Sequence, residues 1–128
     1  MPSNYNMTYE DVTPNPMQEL IKKLRKFAKE RDWEQFHSPK NLSMALAVEI
    51  AELMEHFQWL TEEQSSNLDQ RTLAKVKEEI GDIQIYLARL ADQLDINPIL
   101  AAKEKLQKNA EKYPIEKAKG SAKKSTDL

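Results

Sequence analysis

The sequence predicts an all-α fold in which four long helices form a bundle. Only two glycines occur in 128 residues. The middle of the chain is rich in Leu, Ala, Glu, Lys and Gln, which favour helices. Apolar residues recur there at intervals of three and four, the period of an amphipathic helix. The length suits one domain, so we expect a single helical bundle with short connections.

The first two helices are predicted over about 16–32 and about 40–60. Asn15 is a suitable cap for the first helix because a proline follows it. Residues 33–41 are expected to form a loop, since Pro39 disfavours helical geometry at the residue before it. The inward-facing apolar positions of the second helix are Leu42, Leu46, Ile50, Leu53, Phe57 and Leu60.

The last two helices are predicted over about 70–94 and about 98–112, after a polar connection at 61–70. Asp69 and Asn97 each stand where an N-cap is needed. The apolar positions of the third helix are Leu73, Val76, Ile80, Ile83, Leu87, Leu90 and Leu94. Because the second and third helices are the most apolar, we expect them at the centre of the bundle.

The two ends of the chain lack helical periodicity. Residues 1–14 are polar and contain prolines, so they are interpreted as an N-terminal extension. Residues 15–114 then form the helical domain. Residues 115–128 are small and charged, and this composition predicts a mobile C-terminal tail.

Some apolar side chains do not fit the inward-facing stripes. They are Met44, Val48, Ile85 and Tyr86. Such surplus apolar surface indicates burial against a second chain, so we expect a homodimer or a homotetramer.

Composition excludes several classes of function. With 19 basic and 21 acidic residues, no general electrostatic field favours a nucleic-acid polymer or an anionic membrane. The chain has no cysteine, hence no disulfide or thiolate chemistry. No apolar run approaches the roughly 20 residues of a membrane span, and no signal peptide is recognisable. A cytoplasmic location is therefore the expectation.

Two pairs of acidic residues lie beside the apolar stripes of the central helices. Each helical residue turns about 100°, which places Glu49 roughly 55° and Glu52 roughly 115° from the middle of the stripe on the second helix. Glu79 and Asp82 fall at roughly 65° and 125° on the same side of the third helix. Two neighbouring helices thus present carboxylates at matching angles.

A divalent cation explains these carboxylates better than an ordinary solvated face does. An unpaired carboxylate beside an apolar stripe loses hydration, and residues 41–60 contain no Lys or Arg. Oxygen ligands favour Mg²⁺, with Mn²⁺ able to substitute, and Mg²⁺ leaves positions for water and substrate phosphates. A di-iron site is less favoured because the Glu-x-x-His motif of such bundles is missing.

The segments AVEIAELMEHFQW and EEIGDIQIYLARLA resemble the ExxE and ExxD motifs of the MazG-like all-α nucleoside triphosphate pyrophosphohydrolases. The dCTP pyrophosphatase branch resembles the chain further, in ERDWEQFHSPKNL, FQW, KYP and KGSAKKSTDL. The similarity covers about residues 18–128. It departs from the animal members of that branch at Leu24, where a histidine is expected, and this bears on base specificity.

The resemblance implies Mg²⁺ ligands at Glu49, Glu52, Glu79 and Asp82, and a nucleotide cleft completed by a second subunit. The residues implied in substrate binding are Trp33, His37, Asn41, Trp59, Tyr86, Lys105, Asn109, Lys112 and Tyr113. Trp33, Trp59 and Tyr86 match the aromatic residues that stack against the base. His37 and Asn41 match the loop that lines the cleft, and the last four match a basic helix near the phosphates. The family tail can cover the site when nucleotide is bound, which would order residues 115–128.

The resulting hypothesis is an enzyme that hydrolyses a nucleoside triphosphate, dCTP or a modified form of it, to monophosphate and pyrophosphate. Glu49 or Glu52 would accept a proton from the attacking water. Trp59 lies roughly 20° from Glu52 and two turns further along the predicted second helix, which suits stacking against a base. The alternative is a non-catalytic, metal-binding helical dimer that acts as an interaction module. Without the resemblance, the residues favour a different interpretation, in which Trp33 plugs the end of the bundle and Lys105 and Lys112 are solvated surface lysines.

Overall fold

The computed structural model describes residues 15–128, and the predicted N-terminal extension lies outside the described residues. The described chain is helical throughout and contains no strand. Its α-helices are α1 (Pro16–Glu30), α2 (Pro39–Glu55), α3 (Glu62–Ser65), α4 (Gln70–Gln93), α5 (Pro98–Lys112) and α6 (Ile115–Ala118). Short 3-10 helices span Glu34–Phe36 and Ser125–Asp127. The all-α class is confirmed, whereas the bundle arrangement and the homo-oligomer stay predictions.

The chain divides into two compact units, one ending at Asp95 and the other formed by Ile96–Leu128. In the first unit α4 packs most extensively against α2 and less extensively against α1. The second unit contains α5, α6 and the last 3-10 helix. No helix among residues 15–128 combines the length and apolarity that crossing a bilayer requires.

The predicted N-caps are present at the helix starts. Asn15 Oδ1 accepts a hydrogen bond from the backbone N–H of Gln18 at 2.9 Å, and Asp69 Oδ1 accepts one from Thr72 at 2.7 Å. Asn97 Oδ1 accepts from two backbone N–H groups in the first turn of α5. These bonds satisfy backbone donors that have no partner within the helix, so the predicted starts are accurate.

The second helix is shorter than its apolar pattern predicted. It ends at Glu55, and residues 56–60 continue as a series of turns. The backbone N–H of His56 bonds to the carbonyl of Leu53, three residues back, and Leu60 bonds in the same way to Phe57. Three aromatic rings, which favour helices only weakly, fall between positions 56 and 59, and a capping box at Thr61 then starts α3. The expectation of a helix through position 60 was therefore wrong.

The other boundaries differ in smaller ways. The first helix ends at Glu30 rather than near 32, because Asp32 adopts a positive φ of 54° that no helix can contain. The tail also contains regular structure, although its composition predicted none. Pro114 fixes its own φ at −58°, and its carbonyl accepts hydrogen bonds from Lys117 and Ala118, which form the turn of α6.

The apolar interior of the first unit is small. Leu42 is the largest completely buried side chain, and it lies with Ala28, Val76, Ala88 and Ala91. Several residues of the predicted apolar stripes remain about half exposed in the single chain. Met44 is 57% exposed and Val48 is 56% exposed. The unit therefore leaves apolar surface of α2 and α4 open.

Candidate active site

Three carboxylates converge where α2 meets α4. Glu49 comes from α2, and Glu79 and Asp82 come from α4. One oxygen atom from each of the three lies within 4.8 Å of the others. We call this group the carboxylate cluster. Glu52, one turn after Glu49, lies outside the cluster and is exposed. The structure thus brings together three of the four acids that the sequence singled out, and their role as metal ligands stays a prediction.

The carboxylate cluster lacks the partners that buried charges need. The Oε2 atoms of Glu49 and Glu79 are buried and accept no hydrogen bond. The ion pairs of residues 15–128 involve Asp92 with Arg25 and Arg89, so no lysine or arginine of the described chain neutralises the cluster. An unsatisfied buried carboxylate is costly unless it is protonated or meets a cation.

The pKa of Glu49 is raised by its position in the carboxylate cluster. Burial, followed by the adjacent carboxyl groups of Glu79 and Glu52, raises the pKa of Glu49 from 4.5 to about 7. The negative charge of Asp82 adds to the same effect. A divalent cation would reverse it, since positive charge next to a carboxylate favours the ionised form. The oxygen-only donors and the two unpartnered oxygens fit a hard cation such as Mg²⁺.

A cleft of about 230 Å³ opens beside the cluster. The segment between α1 and α2 contributes Trp33 and His37 to its walls, and α4 contributes Asp82 and Tyr86. Asp82 therefore belongs both to the carboxylate cluster and to the cleft. Whole ligands usually occupy pockets of roughly 300–1,000 Å³, so this cleft has room for one part of a ligand, such as a base.

Edge-to-face aromatic contacts hold one wall of the cleft. The rings of Phe27 and Trp33 are 5.7 Å apart at 70°, and those of Trp33 and His37 are 6.3 Å apart at 65°. This geometry suits the quadrupoles of the rings and fixes their orientation. Leu24 of α1 also lines the cleft, so the departure from the family pattern lies inside it.

Other predicted substrate-binding residues lie elsewhere. Asn41, in the first turn of α2, donates from Nδ2 to the carbonyl of Phe36 at 3.0 Å, which ties the 3-10 helix to α2. Trp59 is 87% exposed and follows the end of α2, so its predicted helical alignment with Glu52 was wrong. In the unit formed by Ile96–Leu128, α5 carries Lys105, Asn109 and Lys112, and Tyr113 directly follows.

Sequence reasoning did not identify Arg89 as a residue of the site. Arg89 is only 5% exposed, lines the cleft and donates from Nε to His37 Nδ1 at 3.3 Å. Asp92 lies three residues further along α4 and pairs with it, its Oδ2 lying 3.7 Å from Arg89 Nη1. An arginine and an aspartate three residues apart lie on the same face of a helix, and this spacing could have indicated their ion pair from the sequence.

The raised pKa of Glu49 predicts an unusual pH dependence in protein stripped of divalent cations with EDTA. The folded state binds this proton more tightly than the unfolded state, so its contribution to stability is complete below 4.5 and is lost as pH rises through about 7. Urea unfolding should show that the free energy of unfolding of the wild type decreases as pH rises across this range. Glu49→Gln should lack this decrease. Glu55→Gln, on the exposed side of α2, should retain it. Equal pH dependence in the wild type and Glu49→Gln would refute this account of the cluster.

Comparison with known proteins identifies the family of the chain. A profile of the MazG-like family matches residues 44–128. The dCTP pyrophosphatase 1 of Mus musculus is 42% identical over 119 residues, which cover 91% of this chain and 70% of that protein. The Homo sapiens protein of the same name is 41% identical with the same coverage. A pyrophosphatase from Archaeoglobus fulgidus has a crystal structure with a TM-score of 0.74 and 44% identity, covering 78% of this chain and 94% of that one. On these matches, the chain belongs to the MazG-like family.

Proposed function

We propose that this chain is a Mg²⁺-dependent nucleoside triphosphate pyrophosphohydrolase that removes dCTP, or a modified form of it, from the nucleotide pool. The observation that carries the proposal is a cluster of three carboxylates, two of which have a buried oxygen without a hydrogen-bond partner, that shares Asp82 with an aromatic-lined cleft. Family membership and the similarity to proteins named dCTP pyrophosphatase support the choice of substrate. Action on free nucleotides suits a cytoplasmic enzyme.

The cleft supplies the binding of the base. Trp33 and Tyr86 provide apolar faces against which a pyrimidine can stack, and His37 adds a polar ring nitrogen. Since Asp82 lies in the same cleft, a base held there places the phosphates of the nucleotide towards the carboxylate cluster. The cleft thus fixes the distance between the recognised base and the reacting phosphorus.

The carboxylate cluster supplies the reaction centre. Glu49, Glu79 and Asp82, with Glu52 next to them, would hold Mg²⁺ and possess enough negative charge to bind more than one ion. When bound, Mg²⁺ neutralises phosphate oxygens and acidifies water. Water attacks the α phosphorus in line with the leaving group, and either Glu49 or Glu52 accepts its proton. The bond from the α phosphorus to the bridging oxygen breaks, and dCMP and pyrophosphate leave.

The remaining predicted residues would bind the phosphates of the substrate or close the site. Lys105 and Lys112 carry positive charge suited to the triphosphate, with Asn109 and Tyr113 as neutral hydrogen-bonding groups. Residues 115–128 would close over bound nucleotide. Residues 15–114 form the catalytic domain in this scheme, and 1–14 are an extension.

The central test is product analysis with each NTP and dNTP in the presence of Mg²⁺. We expect preferential turnover of dCTP or its modified forms to monophosphate and pyrophosphate. Glu49→Ala and Asp82→Asn should each lower kcat/KM about 100-fold or more, because each removes a carboxylate from the charge-stabilising centre. Glu55→Ala should leave it unchanged. Release of inorganic phosphate, or wild-type turnover in Asp82→Asn, would disprove the proposal. Metal binding without any turnover would favour the non-catalytic dimer.

Assembly follows from the apolar surface of α2. Met44 and Val48 lie one turn apart on that helix and are each more than half exposed in the single chain. We propose that a second copy covers them, forming a homodimer that can pair into a tetramer. The same proposal gives a role to Trp59: its indole is 87% exposed in the single chain and would contribute to the cleft of a second copy.

Light scattering coupled to size exclusion tests the assembly. The wild type should have a mass of two or four chains. Val48→Glu should produce monomers, because burying an unpaired carboxylate at an apolar interface is unfavourable. Glu55→Lys, which changes the charge by two units at an exposed position of the same helix, should leave the mass unchanged. A monomeric wild type would refute the proposal.

A further inference from the structure

Arg89 occupies a position that the proposed chemistry does not use. It is a buried arginine on α4, two turns beyond Asp82, and it lines the cleft without belonging to the carboxylate cluster. Its guanidinium is oriented at two points. Nη1 lies 3.7 Å from Asp92 Oδ2, and Nε lies 3.3 Å from His37 Nδ1. A buried arginine held in this way has a defined donor direction.

The hydrogen bond to His37 has only one possible polarity. Arginine remains protonated in proteins and has no acceptor atom, so Nε is the donor. Nδ1 of His37 must then be the acceptor and carry no proton. In the neutral ring the proton consequently resides on Nε2. Rotating the ring by 180° would place a carbon atom against the guanidinium and remove the bond.

Other groups around His37 favour the same state. Burial, followed by the positive charge of Arg89, lowers the pKa of His37. Glu34 opposes this effect with a smaller one. The imidazole also lies in an edge-to-face arrangement with the Trp33 ring, with the ring centroids 6.3 Å apart. Within residues 15–128 the contact with Arg89 is the only hydrogen bond of the His37 side chain, so Nε2 is left for water or for a ligand in the cleft.

We propose that Arg89 is a positioning residue that holds His37 in the Nε2–H tautomer, so that His37 presents a hydrogen-bond donor to the substrate. The inference rests on the proposed function for the identity of that substrate. A donor at Nε2 selects an acceptor atom, such as the ring carbonyl or unprotonated ring nitrogen of a pyrimidine. It does not pair with an exocyclic amino group, which is itself a donor. Arg89 thereby contributes to the specificity of the cleft through His37.

The chain offers a matched control. Arg25 of α1 donates to Asp92 through two nitrogen atoms, with Nε at 2.8 Å from Oδ2, and links α1 to α4. Arg25→Gln therefore removes a helix-to-helix ion pair in the same network and leaves the contact between Arg89 and His37 intact. Any effect caused only by weakened packing should occur in Arg25→Gln as well as in Arg89→Gln.

The first measurement is the ¹⁵N spectrum of the histidine rings in the protein without nucleotide, at neutral pH. We expect His37 Nδ1 at the shift of an unprotonated nitrogen and Nε2 at the shift of a protonated one. Arg89→Gln should move both shifts towards the average of a mixed tautomer population, and Arg89→Lys should restore part of the difference. Arg25→Gln should retain the wild-type pattern. His56, the second histidine of the chain, reports in the same spectrum that the fold is intact.

The second measurement is steady-state hydrolysis of dCTP by the same proteins. Arg89→Gln should raise KM about fivefold with kcat changed less than about twofold, because a hydrogen bond that orients bound substrate is weakened. Arg25→Gln should leave KM unchanged. A wild-type spectrum with the proton on Nδ1, or an equal rise of KM in both variants, would overturn the inference. If the wild type does not hydrolyse dCTP, the proposed function fails, and the spectrum still decides the tautomer.

Discussion

The packing of α2 against α4 buries carboxylate oxygens that no cation of the described chain neutralises. The same contact that buries Leu42 and Val76 places Glu49 beside Glu79 and Asp82. Helix packing is favourable because apolar surface leaves water, whereas ionised oxygens at the same boundary lose hydration. A proton relieves the conflict at Glu49, whose pKa rises to about 7, and a divalent cation would relieve it for all three acids.

The opposite situation occurs further along α4. Asp92 accepts two hydrogen bonds from Arg25 and lies near Arg89. The bond from Arg25 holds the pKa of Asp92 below its usual range. One helix therefore carries an acidic segment without partners and, about three turns later, an aspartate with two. Arginine thus neutralises an acid at one place on this helix, whereas Glu79 has a buried oxygen without a partner, which supports the proposed metal site.

The sequence predicts best those features of the fold and of the site that depend on residues close together in the chain. Caps at Asn15, Asp69 and Asn97 act within three residues of themselves, so the helix starts were predictable. The angular offset of each acid from its own apolar stripe predicted the convergence of Glu49 with Glu79 and Asp82, but it also included Glu52, which lies outside the cluster. Both arguments need only helical periodicity and the assumption that the stripes face each other.

Features that depend on tertiary contacts were not predictable in this way. The apolar period continues through Phe57 and Leu60, yet the backbone leaves the helix after Glu55, which displaces Trp59 from its expected face. The burial of Arg89 depends on His37 approaching from a segment 52 positions away in the chain, and no local pattern reports that distance. The position of Leu24 has the same character, because Leu24 lines a cleft whose other walls come largely from α4 and the segment before α2.

The central claim is that the carboxylate cluster is a metal centre, and titration of the protein with Mn²⁺ tests it most directly. Binding is measured by electron paramagnetic resonance as the decrease of the free-ion signal. The account predicts binding that Mg²⁺ competes away and that Glu79→Gln weakens about tenfold or more, since it removes a cluster oxygen donor. Glu78→Gln changes the adjacent, exposed glutamate and should bind Mn²⁺ as the wild type does. Equal affinity in Glu79→Gln and Glu78→Gln would contradict the assignment of the carboxylate cluster as a metal centre.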